Sequence, residues 1–333
     1  MKPKVSVFIP AWNAEHFIAA TISSILDQDY QNIELIVINN GSTDGTQSVL
    51  EKIKLKDPRL IIVYLKEGVS PFKARQIGFE LSTGVFCMNM DHDDCLAPKF
   101  FSEIIPFMEK NKLDMASCHV QITDENLHPI VEKNLREPSV SFITKTKNDY
   151  SFFLSQRYTG WDKLVRRSYL IKHNYHYDVE KELGLFVFTF YDDCKNGFCP
   201  QSTYLYRTRQ NSISHNFMNS IRLNANPENS SSPIYPLKEN IKNQDIRDMV
   251  SCFLIKSLLP IIMFRSLGDA SFNWQTDFSS LKRAYNYSTR KMRACYPYFS
   301  LRTKKIALII MFHVEWMLRL YIKLKVEKER GRK

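Results

Sequence analysis

At 333 residues, with 44% hydrophobic, 13% aromatic and 24% charged side chains, the chain has the make-up of a globular protein and is too apolar to be disordered. Its net charge of +11 calls for an anionic partner or an anionic membrane surface. No stretch reaches ~18 uninterrupted apolar residues, so no transmembrane helix is expected. The first residues, Met1-Lys2-Pro3-Lys4, show no cleavable apolar region.

Up to about residue 120 the pattern alternates strand and helix. Val5–Ile9 is an apolar run stopped by Pro10, and Glu15–Leu26 carries Phe17, Ile18, Ile22, Ile25 and Leu26 on one helical face. Ile33–Ile38 reads as a second buried strand. Gly41-Ser42-Thr43-Asp44 then supplies a turn and cap for a helix through Val49 and Ile53. Leu60–Tyr64 is a third strand, Phe72–Leu81 a helix and Val85–Met90 a fourth strand. Such alternation implies βαβ units in a mostly parallel sheet, whose ligands bind at the carboxyl ends of the strands.

The fourth strand runs directly into Asp91-His92-Asp93-Asp94. Three carboxylates within four positions repel one another, and folding alone gives no reason to cluster them. A hard divalent cation gives one, since Mg²⁺ or Mn²⁺ takes oxygen ligands and leaves positions for substrate phosphates. The alternative is an acidic start for a helix beginning near Ala97 and Pro98.

Beyond residue 120 the pattern is less regular, with helical stretches around Phe152–Gln156 and Leu185–Asp192. Asn224–Pro233 has the composition of a linker. Seven scattered cysteines, of which Cys194 and Cys199 are the closest pair, complete no zinc site and suit a reduced compartment. Met249–Phe264 and Ile306–Val326 have amphipathic spacing. From Arg302 to Lys333 there are ten Lys or Arg against three Glu. Basic amphipathic helices with aromatic residues lie in the membrane interface, and the alternative is a pair of helices packed on the rest of the protein. No nucleic-acid module or glycine-rich phosphate loop is present, so the basic charge does not point to nucleic acid.

Five ordered segments carry a resemblance. They are Val5-Ser6-Val7-Phe8-Ile9-Pro10-Ala11-Trp12-Asn13, Ser24-Ile25-Leu26-Asp27-Gln28-Asp29-Tyr30, Ile36–Thr46, Lys73-Ala74-Arg75-Gln76-Ile77-Gly78 and Asp91-His92-Asp93. In that order the chain resembles the nucleotide-sugar glycosyltransferases of family 2. The resemblance implies an α/β GT-A fold with a mostly parallel central sheet, to which the amphipathic spacing further on adds a helical C-terminal extension. It also implies a catalytic domain over 1–220, made of a nucleotide-sugar half (1–120) and an acceptor half (121–220). A linker over 221–240 and a basic, membrane-associating region over 241–333 would follow.

The roles that it implies fall on individual residues. Pro10, Ala11, Asn13, Asn40, Arg75, Asp91 and His92 would bind the nucleotide sugar. Asp93 would hold Mn²⁺ or Mg²⁺, with Asp91 and His215 as further candidates; His215 has the alternative of a loop histidine bonded to water or backbone. Asp94 and Trp161 would meet the acceptor, Trp161 having the alternative of a core residue. The family pattern has two aspartates where this chain has Asn39-Asn40. An Asn carbonyl can still accept a hydrogen bond from a uracil N–H. The catalytic Glu-Asp pair of the family falls on Glu182-Leu183, and leucine cannot take a proton. Glu182 is therefore the first candidate base, with Glu180 and Asp178 as alternatives.

The reading is an inverting, metal-dependent transfer of a hexose or N-acetylhexosamine from a UDP-sugar to a saccharide acceptor, including a lipid-linked one. The setting would be surface glycan synthesis, lipopolysaccharide or capsule, at the inner face of the cell membrane. Leu183 motivates the alternative, a sugar-nucleotide or glycan-binding protein of impaired activity.

Overall fold

The alternation of side chains along the first strand sets the layers. β1 (Val5–Ala11) is buried at every position. Val5, Val7, Ile9 and Ala11 belong to one hydrophobic cluster and Phe8 to a second on the opposite face, as the two-residue repeat of a strand requires. β2 (Ile33–Asn40) divides the same way, with Leu35 and Val37 in the first cluster and Ile36 and Ile38 in the second. Each fully buried aliphatic side chain contributes roughly 1.5–3 kcal/mol, so these two strands anchor both layers.

The computed structural model of the protein describes residues 2–130, 137, 157, 159–177, 185, 191 and 193–209. They fall in one unit, Met1–Thr144 with Ser155–Arg209. After β1 and β2 come β3 (Leu60–Leu65), β4 (Phe86–Asn89), the short β5 (Cys95–Leu96), β6 (Met115–Thr123), β7 (Lys163–Arg166) and β8 (Asn196–Arg207). Five helices are described: α1 (Ile18–Leu26), α2 (Thr46–Lys54), α3 (Pro71–Leu81), α4 (Phe100–Lys110) and α5 (Arg167–Lys172). α1, α2 and α4 bury Ile22, Leu50 and Phe101 in the first cluster, while α3 and α5 bury Ala74 and Leu170 in the second.

α3 starts where its sequence says it should. Ser70 Oγ accepts the Lys73 N–H at 3.2 Å and Pro71 occupies the first turn, where a missing N–H costs nothing. Gly78 lets the helix touch the sheet, since a Cβ there would lie 2.6 Å from Phe8 Cβ.

The eight strands form one sheet in the order β3-β2-β1-β4-β7-β6-β8-β5. β3, β2, β1 and β4 are mutually parallel, and β6 is parallel to β8. β7 runs antiparallel to β4 and β6, and β5 antiparallel to β8. The β6–β8 register shifts after Cys118↔Cys199, next to Pro200, which has no N–H to give to a ladder. Because β2 lies on one side of β1 and β4 on the other, the chain reverses direction across the sheet at β1. A ligand crevice forms at such a switch point.

Strand ends shift by one or two residues from expectation, and two helices start later. α1 begins at Ile18 rather than Glu15, because Glu15 Oε2 is spent on the Gly45 N–H at 2.6 Å. α4 begins at Phe100 rather than Ala97, because β5 runs to Leu96 and Lys99 takes a left-handed φ of 66°. The expected helix at Phe152–Gln156, the 221–240 linker and the whole 241–333 region lie outside the described residues. Of Leu185–Asp192 only Leu185 and Tyr191 are described. Among the described residues no helix is long and apolar enough to cross a membrane.

Candidate functional site

The carboxyl ends of β1, β2 and β4 bring Pro10-Ala11, Asn39-Asn40 and Asn89 to one edge, and the acidic loop follows β4 directly. Asp91, His92 and Asp93 are half-buried and Asp94 is 1% exposed. Asp91 Oδ1 receives Arg75 Nη2 at 2.8 Å, so α3 delivers its arginine to the loop. Asp93 Oδ2 receives Arg209 Nε at 2.5 Å, from just beyond β8. His92 turns back toward the sheet, with Nδ1 3.3 Å from the Pro10 carbonyl oxygen, and its own carbonyl accepts Thr21 Oγ1 at 2.9 Å.

Asp94 is not a group that faces an acceptor. Its Oδ2 accepts the Tyr204 hydroxyl at 2.7 Å and its Oδ1 the Arg207 N–H at 2.8 Å. It is an internal strut that ties the loop to β8. Burial first, and then the charges of Asp93 and Asp91, push its carboxyl well above the usual range. The helix-start explanation of the cluster also fails. Five residues including β5 separate Asp94 from the start of α4, and the helix dipole acts within the first turn.

On the β2 side the amides are partly spent. Asn40 Nδ2 donates to the Val69 carbonyl and Asn40 Oδ1 accepts the Val69 N–H, both at 2.8 Å. That two-point pairing holds the loop between β3 and α3 against the end of β2. Gly41 makes the approach possible, with φ +69° and Gly68 N 2.7 Å from where a Cβ would stand. Asn13, in a left-handed conformation (φ 48°), uses Oδ1 to accept the Thr43 N–H at 2.9 Å. Asp44 accepts the Glu15 N–H at 3.1 Å and the Thr46 N–H at 3.0 Å. Burial raises its pKa, but the Thr46 and Glu15 hydrogen bonds outweigh burial and hold it below the usual value. Asn13 thus sits at the site's edge as a loop staple, while Ala11 is fully buried in the strand.

The second half of the sheet closes on Asn89. Gly160 lies beside it, a Cβ there being 3.4 Å from both Asn89 Oδ1 and Leu185 Cδ1. The Tyr177 hydroxyl donates to Asn89 Oδ1 at 3.3 Å. Trp161 is half-buried, stacked on Tyr206 at 5.2 Å and tilted on Tyr204 at 4.7 Å, and it packs against the first hydrophobic cluster. Its core packing accounts for one face of the indole. Glu182, Glu180, Asp178 and His215 lie outside the described residues.

Asp91 and Asp93 fit a divalent cation. The arginine pairs take Asp91 Oδ1 and Asp93 Oδ2, and among the described residues the other two oxygens have no recorded partner. No three His, Cys, Asp or Glu side chains converge among the described residues. Two carboxylates from the protein, with the remaining positions open to other oxygen ligands, is the donor set that Mg²⁺-type sites use.

Sequence reasoning missed Arg209, Val69 and Trp12. Trp12 is 55% exposed at the end of β1, and a large exposed aromatic at a carboxyl strand end was a legible signal. Arg209 pairs across 116 positions, and no local pattern announces it.

The sequence profile described as Glycosyl transferase family 2 matches residues 6–173, from β1 through the end of α5. An uncharacterized glycosyltransferase of Haemophilus influenzae (strain Rd) is 40% identical over 131 residues, 39% of this chain and 39% of the relative. WfgD of Escherichia coli, a UDP-Glc:alpha-D-GlcNAc-diphosphoundecaprenol beta-1,3-glucosyltransferase, is 29% identical over 144 residues, 43% of this chain and 55% of the relative. The chain thus spans less than two thirds of the length of either curated relative. Among solved structures, S. aureus TarS 1-349 in complex with UDP-GlcNAc superposes with a TM-score of 0.67. It is 17% identical, and the match covers 93% of this chain and 89% of that one. At that identity the likeness speaks to the fold alone, and the fold is GT-A.

Proposed function

We propose that this chain, which belongs to glycosyl transferase family 2, moves a hexose or N-acetylhexosamine from a UDP-sugar to a saccharide acceptor during surface glycan assembly, with inversion at the anomeric carbon. The observation that carries the donor half is the pair of arginine-bridged carboxylates, Arg75–Asp91 and Arg209–Asp93, at the switch point of the sheet. The UDP-sugar and the glycan setting are supported by the activity of WfgD and by the UDP-GlcNAc held in TarS.

Asp93 and Asp91 would hold Mn²⁺ or Mg²⁺, which when bound there stabilises the negative charge on the departing diphosphate. Arg75 fixes Asp91 and offers its guanidinium beside the same anion. Pro10 and Asn40, at the ends of β1 and β2, would line the nucleoside pocket, with Ala11 buried behind them and Trp12 offering an exposed aromatic face next to it. Asn40 still has one lone pair and one N–H beyond those given to Val69.

The base is Glu182, with Glu180 and Asp178 as alternatives. Its support is the position of its neighbours, since Tyr177 and Leu185 both lie close to the Asn89–Gly160 contact, two residues before Asp91. The carboxylate takes the acceptor hydroxyl proton as that oxygen attacks the anomeric carbon and the bond to the diphosphate breaks on the opposite side. The 241–333 region would bring this centre to an anionic membrane where a lipid-linked acceptor resides.

Asp93→Ala tests the donor half. Transfer from a UDP-sugar in Mn²⁺ or Mg²⁺ should fall at least ~100-fold while circular dichroism and melting stay as in the parent. Undiminished transfer would exclude this assignment. Mn²⁺-dependent UDP binding by the parent, with no turnover on any saccharide acceptor, would instead assign the protein to binding, the reading that Leu183 favours.

A further inference from the structure

Arg209 occupies a position that the donor reaction cannot leave alone. Its Nε lies 2.5 Å from Asp93 Oδ2, and its guanidinium sits over the Phe17 ring with 5.1 Å to the centroid. Arg207 lies over the same ring at the same distance, but Arg207 is fixed, with its Nη1 on the Glu125 carbonyl at 3.0 Å and its N–H on Asp94. Arg209 is the outer of the two arginines, with 20% of its side chain exposed, whereas Arg207 is buried.

Charge balance defines what the pair is for. Before any ligand arrives, Asp91 and Asp93 each face one arginine, and the crevice is neutral at these four groups. A divalent cation adds two positive charges and a sugar diphosphate adds two negative ones, so the loaded crevice stays neutral only if both arginines remain in it. A cation on the other oxygen of Asp93 draws on the charge of the same carboxylate and repels the guanidinium beside it. The anion then nearest to Arg209 is the diphosphate, whose oxygens match the fork of guanidinium donors.

We propose that Arg209 is a two-position counter-ion of the donor site: it holds Asp93 in the empty crevice and turns to the diphosphate when cation and nucleotide bind. This rests on the donor reading above. Phe17 serves both positions, since a ring face attracts the guanidinium without fixing its hydrogen bonds. Arg209 is thereby a nucleotide-binding residue whose influence on the cation alone is the reverse of its influence on the cation–nucleotide complex.

Opposite signs make the test. The full chain and Arg209→Gln are titrated with Mn²⁺ alone, read by electron paramagnetic resonance of free Mn²⁺, and then with UDP at saturating Mn²⁺, read by calorimetry. Removing the competing cation should tighten Mn²⁺ binding by roughly 10-fold, while losing the phosphate contact should weaken UDP by about 10-fold or more. Arg209→Lys keeps the charge without the fork. It should bind Mn²⁺ like the parent and UDP with intermediate affinity, and it carries the test should the Gln variant not fold. Parallel weakening of Mn²⁺ and UDP would mark Arg209 as merely structural and overturn the proposal, as would no change in either. A parent chain that binds no UDP with Mn²⁺ would overturn the donor reading and this inference with it. A parent that binds UDP, beside an Arg209→Gln variant that matches it, overturns only the inference.

Discussion

Two groups of charges in this sheet are held in opposite ways. Arg157, Asp162 and Lys163 are closed on themselves: Asp162 and Lys163 side chains are fully buried, and Asp162 receives Arg157 Nε at 2.7 Å, Lys163 Nζ at 2.6 Å and Thr159 Oγ1 at 3.0 Å. Lys163 gives its remaining two donors to the Arg157 and Thr159 carbonyls. Burial pushes the Asp162 carboxyl up, but the charges of Lys163 and Arg157 outweigh it and hold it below the usual range. Asp91 and Asp93, in contrast, keep some contact with solvent and each shares one oxygen with a single arginine. Charges taken fully out of water must satisfy every hydrogen bond to be tolerated. The first group turns its capacity inward, leaving only Arg157 Nη1 of its charged atoms without a hydrogen bond, and builds the fold, whereas the second keeps capacity for something that comes from outside.

The largest effect should come from opening the closed group. Asp162→Asn leaves Lys163 and Arg157 buried without their counter-charge, and a loss of about 3–5 kcal/mol is expected in urea unfolding. A loss below ~1 kcal/mol would erase the contrast between the two groups. Glu34 stands between them. Its carboxylate accepts the Ser6 hydroxyl at 2.5 Å and the Thr83 N–H at 2.6 Å and pairs with the half-exposed Lys4. Burial raises its pKa, yet those partners together hold it below the usual carboxylate value. A depressed carboxylate stabilises above its unfolded pKa and loses that contribution as pH falls through the folded one. Glu34→Gln should cost about 1–2 kcal/mol at neutral pH, and its stability should fall less steeply than the parent's below pH ~4.5. The smallest effect belongs to the open group. Asp93→Asn should change unfolding free energy by no more than about 0.5 kcal/mol, and a larger destabilisation would place Asp93 with the structural charges.

Local pattern carried the first half of the molecule into the sequence. Val5–Ile9, Ile33–Ile38 and Leu60–Tyr64 are apolar runs of strand length between turn residues, and each lies within β1, β2 or β3. The order of the family motifs placed Arg75 beside Asp91, and the structure joins them by an ion pair. What stayed illegible was long-range. Asp94 looked like one more exposed carboxylate because the groups that bury it, Tyr204 and Arg207, arrive 110 and 113 positions later. β8 itself is interrupted by Pro200 and shifts register there, so its sequence lacks a clean two-residue repeat. Trp161 reads equally well as a platform or a core residue until Tyr204 and Tyr206 are seen against it.

The amide pairing between Asn40 and Val69 makes two sequence positions behave as one. An aspartate at 40 would set a carboxylate against the Val69 carbonyl, and the loop carrying Gly68, seated tightly over Gly41, would have to lift. Under the proposed donor reading, retooling this chain for another nucleobase is therefore a change to the end of β2 and the loop after β3 together. A library that varies residue 40 alone would sample misplaced loops, while one that varies 40 with 67–70 would sample new specificities.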